Sequence, residues 1–214
     1  MAEAEVRVGH WFSTLQPFPR TNDRIALNEL QERILKATVA LRGWDYPHME
    51  LPLRNLDGGI ESRTDWNQYH QEWRLMRSGF FAHRWQIQED ESPGWEGTLD
   101  FINAIWTMTE VFQFAKRLYG TDSTVESLTV TLELQGLKGR RLAGSPEYMI
   151  RVNRLPDIDE FRRDVNLGRA ALNADPDTTP CEWAQALFHV MGAPGISLET
   201  LKGHQRRLLE RRFR

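Results

Sequence analysis

Cysteine is almost absent: Cys181 stands alone among 214 residues. One thiol can neither close an internal disulfide nor supply a cysteine-based zinc cluster. Nowhere do about 18 apolar residues run together, roughly the length a membrane-spanning helix needs. The N-terminal MAEAEVRVGHW is acidic and mixed rather than basic then apolar. Neither a membrane span nor a secretory signal is therefore expected, and a cytoplasmic location is the reading that fits. GxxxxGK(S/T), GxGxxG, HExxH, GxSxG and calcium-loop spacings are all missing. Triphosphatase, dinucleotide-binding, zincin, hydrolase-elbow and EF-hand chemistries thus lack their mechanical parts. No cofactor and no metal is expected.

What is present is an ordinary globular balance, 40% hydrophobic and 27% charged, with a high count of eight tryptophans. Tryptophan brings a large apolar body and one N–H to satisfy, so most should anchor core layers and a few should mark a recognition surface. The formal charge of −3 hides an asymmetry: residues 202–214 carry +5, leaving −8 on the rest. Lys202, Arg206, Arg207 and Arg211 make this tail a basic helix, suited to phosphate, an acidic partner or the protein's own acidic body.

Along the chain, TNDRIALNELQERILKATVALRG carries Leu27, Leu30, Ile34 and Leu41 near a 3.6-residue period. Asn22 or Asp23 can cap it and Gly43 lies just beyond, so a helix up to Gly43 is expected. Asp57-Gly58-Gly59 is a hairpin signal. EWRLM (72–76) and the alternating Phe81, His83, Trp85 and Ile87 read as strands paired through Ser78-Gly79, unless Gly79 is a bulge. GTLDFINAIWTMTEVFQFAKRLY (97–119) is apolar on nearly every face and predicts a buried central helix. VESLTVTLELQG alternates, with Leu128, Val130, Leu132 and Leu134 inward. YMIRVN (148–153) is expected to pair with it. IDEFRRDVNLGRAAL reads as a helix, Thr179-Pro180-x-Glu182 as a capping box opening another, and 201–214 as the last.

Strands and helices are grouped rather than alternating. The expected class is α+β: a largely antiparallel sheet on a buried central helix, with a helical C-terminal part. Two units are drawn, a core at 1–153 and a helical subdomain at 154–214, with Leu155-Pro156 as the seam.

Polar and aromatic residues concentrate between positions 42 and 85. In ALRGWDYPHMELP (40–52), Pro47 biases Tyr46 toward extended backbone and Asp45 can bond nearby N–H groups, giving a stiff corner. His48 beside Asp45 has the makings of a general base or an oriented donor; equally, Asp45 holds the turn while His48 begins a strand. His83 lies on the apolar side of its strand, as a satisfied core histidine does. With His48 and Glu72 it would make a metal site only if the strands brought all three together. Arg74 and Arg77 suit a phosphate or carboxylate, or pair with surface acids. The candidate catalytic residues are thus Asp45, His48, Glu72 and His83, with Arg77 beside them. The candidate binding residues are Arg42, Trp44, Tyr46, Arg74, Arg77 and the basic tail. Gly139-Arg140-Arg141 is expected to be a surface edge.

RGWDYPH, EWRLMRSGFFAH some 25 residues on and the tail HQRRLLERRF together resemble a family of uncharacterised bacterial proteins. In that family a similar region sometimes follows a DNA-binding type of domain called AlbA-2 (schlafen-like). The resemblance covers most of the chain from residue 25, and the AlbA-2 domain itself is not visible in this sequence. It implies an accessory or sensing module that works with a partner, in a regulatory or phage-defence setting.

Two function classes compete. The favoured one is a non-catalytic interaction module with a protein partner, since aromatics and arginines are what binding hot spots are made of. The other is an enzyme whose Asp45, His48, Glu72 and Arg77 converge in a cleft above the sheet. A third reading, nucleic-acid binding through the basic tail, predicts steep salt dependence. Oligomeric state leaves no mark in the sequence.

Overall fold

HWFSTLQPF forms β1 (His10–Phe18) in the computed structural model, with buried and half-buried positions alternating along it, and the sheet is built around this strand. The structure describes residues 8–66, 69–144, 152, 154–174 and 178–211. After β1 come α1 (Leu30–Ala37), β2 (Arg54–Leu56), β3 (Gly59–Trp66), β4 (Tyr69–Met76) and β5 (Phe81–Gln86). They are followed by β6 (Thr98–Asp100), α2 (Phe101–Tyr119), β7 (Ser127–Gln135) and β8 (Arg141–Ala143). The last elements are β9 (Glu160–Gly168), α3 (Arg169–Asn173), α4 (Thr178–Val190) and α5 (Leu198–Leu209).

Seven strands form one antiparallel sheet in the order β2-β3-β4-β5-β1-β7-β9, and β6 pairs in parallel with β8 beside it. The class is α+β, as the grouping of elements predicts. β2 to β5 form a meander closed by Asp57-Gly58 and by Ser78-Gly79, where Gly79 has φ +81° and so makes the turn rather than a bulge. β1 joins the meander to the second half, facing β5 with Trp11↔Trp85, Ser13↔His83 and Leu15↔Phe81. On its other side it faces β7 with Trp11↔Leu134, Ser13↔Leu132 and Leu15↔Val130.

One face of the sheet is covered by helices. Leu128, Val130, Leu132 and Leu134 are completely buried, each worth about 1.5–3 kcal/mol on transfer from water. α2 is the helix they meet: Asp100 caps its first turn by accepting from Asn103 N at 2.8 Å. α4 and α5 cover its far side, which explains why it is buried nearly all round. No described helix is long and apolar enough to cross a membrane.

Three expectations need correcting. The first helix is α1, led by a single 3-10 turn at Leu27–Glu29, and it falls short of Gly43. It stops at Ala37, because Thr38 turns to extended backbone and Val39 exchanges both main-chain bonds with Tyr46 (2.9 and 2.7 Å). Leu41 is buried as the helical period demands, but a loop delivers it. Residues 160–168 are a strand, not a helix: Phe161, Val165 and Leu167 fall on one side, and nine residues pair with β7. β9 thus carries the sheet past the expected seam at Leu155-Pro156, and only 169–173 in that stretch are helical. α4 already begins at Thr178, so Thr179 stands inside the helix rather than at its cap. The expected strand at 148–153 lies, but for Val152, outside the described residues.

Candidate functional site

The site is built where the inward face of β4 and β5 turns polar. By parity, Tyr69, Gln71, Trp73 and Leu75 of β4 face the helices, as do Phe81, His83 and Trp85 of β5. Leucines would serve the core at Gln71 and His83. Instead the His83 ring stacks on Trp85 at 4.3 Å and its Nε2 lies 3.2 Å from Gln71 Oε1. Burial pushes the imidazole down to about 3, so His83 is neutral in ordinary buffers.

The second wall is the corner that follows α1. The Val39–Tyr46 bridge encloses residues 40–45, with Gly43 in left-handed backbone at φ +92°. Arg42 turns inward onto α2, donating from Nε to both carboxylate oxygens of Glu110 at 3.1 Å and from Nη2 to Thr107 Oγ1 at 3.3 Å. Nη2 also bonds Glu110 Oε2. Burial pushes the Glu110 carboxyl up and Arg42 pulls it back, so this arginine's charge is spent inside the protein. Its guanidinium also lies 4.9 Å from the centroid of Trp44. Tyr46 is buried with its hydroxyl 3.3 Å from Ser13 Oγ, and burial raises that phenol strongly. His48 does not begin a strand. Its carbonyl accepts from Trp73 Nε1 at 2.8 Å and its ring meets Trp66 edge-on at 4.4 Å.

The third wall is the single turn Gln88–Glu91, whose acids each face a different way. Asp90 accepts from Gly9 N at 2.7 Å and from Arg140 Nη1 and Nη2 at 2.7 and 2.8 Å. Arg140 is therefore a buried anchor, not the surface edge expected at Gly139-Arg140-Arg141. Glu89 accepts from Asp100 N at 2.9 Å and Asn103 Nδ2 at 3.2 Å, fixing the turn to the start of α2. That leaves Glu91 for the cleft. Burial, then the charge of Asp90, pushes its carboxyl up to about 7.

Between these walls lies a cavity of about 370 Å³, lined by Arg42, Trp44, Asp45, Tyr46, His48 and His83 together with Trp66, Tyr69, Gln71, Trp85, Gln88 and Glu91. Three residues of this lining each carry one solvent-closed polar atom without a hydrogen-bond partner among the described residues: His83 Nδ1, Gln71 Nε2 and Glu91 Oε1. Trp44 and Trp66 stand half in solvent.

Of the expected site residues, Arg42, Trp44, Asp45, Tyr46, His48 and His83 are thus brought together. Glu72 is not: it lies on the outer face, in a second hollow of about 270 Å³ with His10 and Arg84. There Arg63 approaches it at 3.6 Å. The His48–His83–Glu72 metal combination is therefore not assembled, and among the described residues no group of three such side chains is placed to hold a metal. Arg77 pairs with Asp23 at 2.8 Å by the β4–β5 turn, and Arg74 with the buried Glu61 at 3.1 Å. The four-residue acid–base set with Glu72 and Arg77 consequently does not form. Lys202, Arg206 and Arg207 lie on α5, remote in the chain from the cleft, with both arginines exposed. Arg211, just past its end, donates to Ala40 O at 3.1 Å.

Gln71, Trp66, Tyr69 and Glu91 were not singled out from the sequence. For Gln71 a signal existed: in an alternating strand it holds a core position with an amide. For Glu91 there was none, since its orientation depends on where Glu89 and Asp90 are tied. No family model, curated protein or solved structure matches this chain.

Proposed function

We propose that this chain is a non-catalytic sensing and interaction module that receives a compact ligand group in the cleft between β4–β5 and the 40–48 corner. The observation that carries the proposal is the hollow itself, in which the aromatic rings of Trp44, Tyr46, Trp66, Tyr69 and Trp85 meet the polar side chains of His48, Gln71 and Glu91. A buried polar atom without a partner costs about 1–3 kcal/mol. Gln71 and His83 carry that cost in the wall of a pocket whose size and mixed aromatic and polar lining are those of small-molecule sites. The half-exposed Trp44 and Trp66 rim would then meet whatever carries or follows the ligand, in keeping with a protein partner.

One observation favours a second reading, catalysis: a carboxyl held near 7, Glu91, shares the hollow with His48. The same experiment separates the two. The protein is incubated with a small-molecule cell extract, desalted and denatured, and the released compounds are identified by mass spectrometry. A binding module yields an enriched compound, unchanged with time and lost in Trp66→Ala. Time-dependent consumption of that compound favours the enzyme, and no enrichment rejects both.

A further inference from the structure

The ligand can be narrowed by charge, an inference that rests on the ligand-binding reading above. From Trp85 to Ala115 the chain holds six acids and not one lysine or arginine. Asp90 and Glu110 receive their cations, Arg140 and Arg42, from elsewhere in the sequence. Glu89, Glu91 and Asp100 have none among the described residues, and neither does Asp45 on the facing corner. Asp45 and Glu91 line the cleft, while the arginine beside them, Arg42, is bound to Glu110 with 8% of its side chain exposed. The cleft thus carries negative charge that the protein leaves unanswered. Its floor does not offset this, because burial keeps the His83 imidazole uncharged. Charge acts beyond contact distance, so a cation in the open part of the hollow is held by both carboxylates. It need not reach the closed atoms of Gln71, His83 and Glu91.

The shape points to a long, thin cation. A narrow space of about 40 Å³ shares Arg42, Trp44, Tyr69, Trp85 and Gln88 with the cleft, and shares Gln88, Glu89 and Asn103 with a further hollow of about 260 Å³. Asp100 and the half-exposed Trp95 stand beside that last hollow. Carboxylates therefore recur along a row bordered by aromatic rings. A methylene chain packs against ring edges as well as faces, because apolar contact has no direction. Arg42 can then stay over Trp44, and His48 against Trp66. A divalent metal needs its ligands in one shell, and among the described residues no group of three is so placed. A phosphate would be repelled, and a neutral sugar makes no use of the charge.

We propose that the cleft binds a linear aliphatic amine, with one ammonium group beside Asp45 and Glu91 and the chain running past Gln88 toward Glu89 and Asp100. The ammonium can belong to a free polyamine or to lysine side chains of the protein partner, and the test has an arm for each. Binding also draws a proton from Glu91, whose carboxyl burial and Asp90 push up to about 7. Tyr69, Asp45, His48 and Arg42 are the other titratable groups of the hollow that holds it. Ionising Glu91 for the ligand costs less as the pH rises, so affinity should increase from about pH 6 to about pH 8, with proton release at the lower end.

The full chain is titrated by calorimetry with spermidine, putrescine, butylamine and a trilysine peptide, in two buffers of different ionisation heat. Methyl glucoside and magnesium chloride serve as comparison ligands. Spermidine is expected to bind more tightly than butylamine, and its affinity to fall about tenfold or more in Glu91→Gln and in Asp45→Asn. Both replacements remove charge and keep the shape, and an unchanged or higher urea midpoint verifies the fold. Proton release should disappear in Glu91→Gln. Binding by the peptide alone, weakened by the same two variants, assigns the ammonium to a partner's lysines and upholds the amine chemistry. The proposal is overturned if no amine binds, if both variants bind as the parent does, if butylamine matches spermidine, or if magnesium ion at equal charge displaces the amine. Binding of the glucoside without any amine, or enrichment of an uncharged compound from the extract, overturns the ammonium while leaving the ligand-binding reading in place. Failure of every compound, with no enrichment from the extract, removes both.

Discussion

The two halves of the sheet present different inward faces. On β7, Leu128, Val130, Leu132 and Leu134 form an apolar stripe without an opening. On β4 and β5 the equivalent rows hold Gln71 and His83, and the space between them and the 40–48 corner stays hollow. β1 lies between and takes part in both: Leu15 belongs to the packed half, and Ser13 reaches the Tyr46 hydroxyl at 3.3 Å. Even the polar half keeps an apolar base, since Trp73, Leu75 and Phe81 of β4 and β5 are buried beside Gln71 and His83. The polar groups above that base are held by a rigid frame. Here the frame is two buried ion pairs, Arg42–Glu110 and Arg140–Asp90.

This contrast is sharpened first by breaking the frame. Arg42→Ala strands Glu110, completely buried, without its cation; denaturant titration should show a loss of about 3–5 kcal/mol. Truncation in the packed half comes next. Leu132→Ala should cost about 2–5 kcal/mol and leave ligand binding unchanged at temperatures where the variant is folded.

The polar half should reveal itself through pH. Unfolded, His83 takes a proton near the ordinary 6.5; folded, burial holds it to about 3. The folded state therefore binds fewer protons throughout that window, and stability present above 6.5 is lost as the pH falls toward 3. The limiting slope is about 1.4 kcal/mol per pH unit. Glu91 acts in the opposite sense, since its raised carboxyl makes stability fall as the pH rises between the usual carboxylate range and about 7. Comparing urea midpoints of the parent and His83→Phe isolates the histidine: the acid loss should be shallower in the variant. The smallest effect is expected at the rim, where Trp66→Ala, with 54% of that residue already exposed, should change stability by no more than about 0.5 kcal/mol while binding is lost.

How much of this was legible in the sequence follows from which forces are local. The buried α2 and the alternating β7 announce themselves, because their periods match the surfaces they cover. The corner at RGWDYPH was visible as a stiff, aromatic, charged element, and most of its residues do line the cleft. β9 reads as a helix because Glu160–Gly168 carries helix-compatible residues, and only the nine-residue pairing with β7 makes it a strand. Glu72 and His83, eleven residues apart, sit on adjacent strands but opposite faces. That is a matter of register parity, which a one-residue shift would have reversed. Glu91 owes its position to bonds formed by its neighbours with Gly9, Arg140 and Asn103, all distant in the chain.

The central claim is that Gln71 and His83 are kept for a ligand and not for the fold. Thermal and denaturant unfolding of the unliganded double variant Gln71→Leu/His83→Phe tests it most directly, because replacing both partners of a buried polar pair with apolar groups of similar shape is neutral or stabilising when the pair serves no folding role. The account predicts a protein at least as stable as the parent that no longer binds in the cleft. A loss of about 2 kcal/mol or more, or binding that survives, would contradict it.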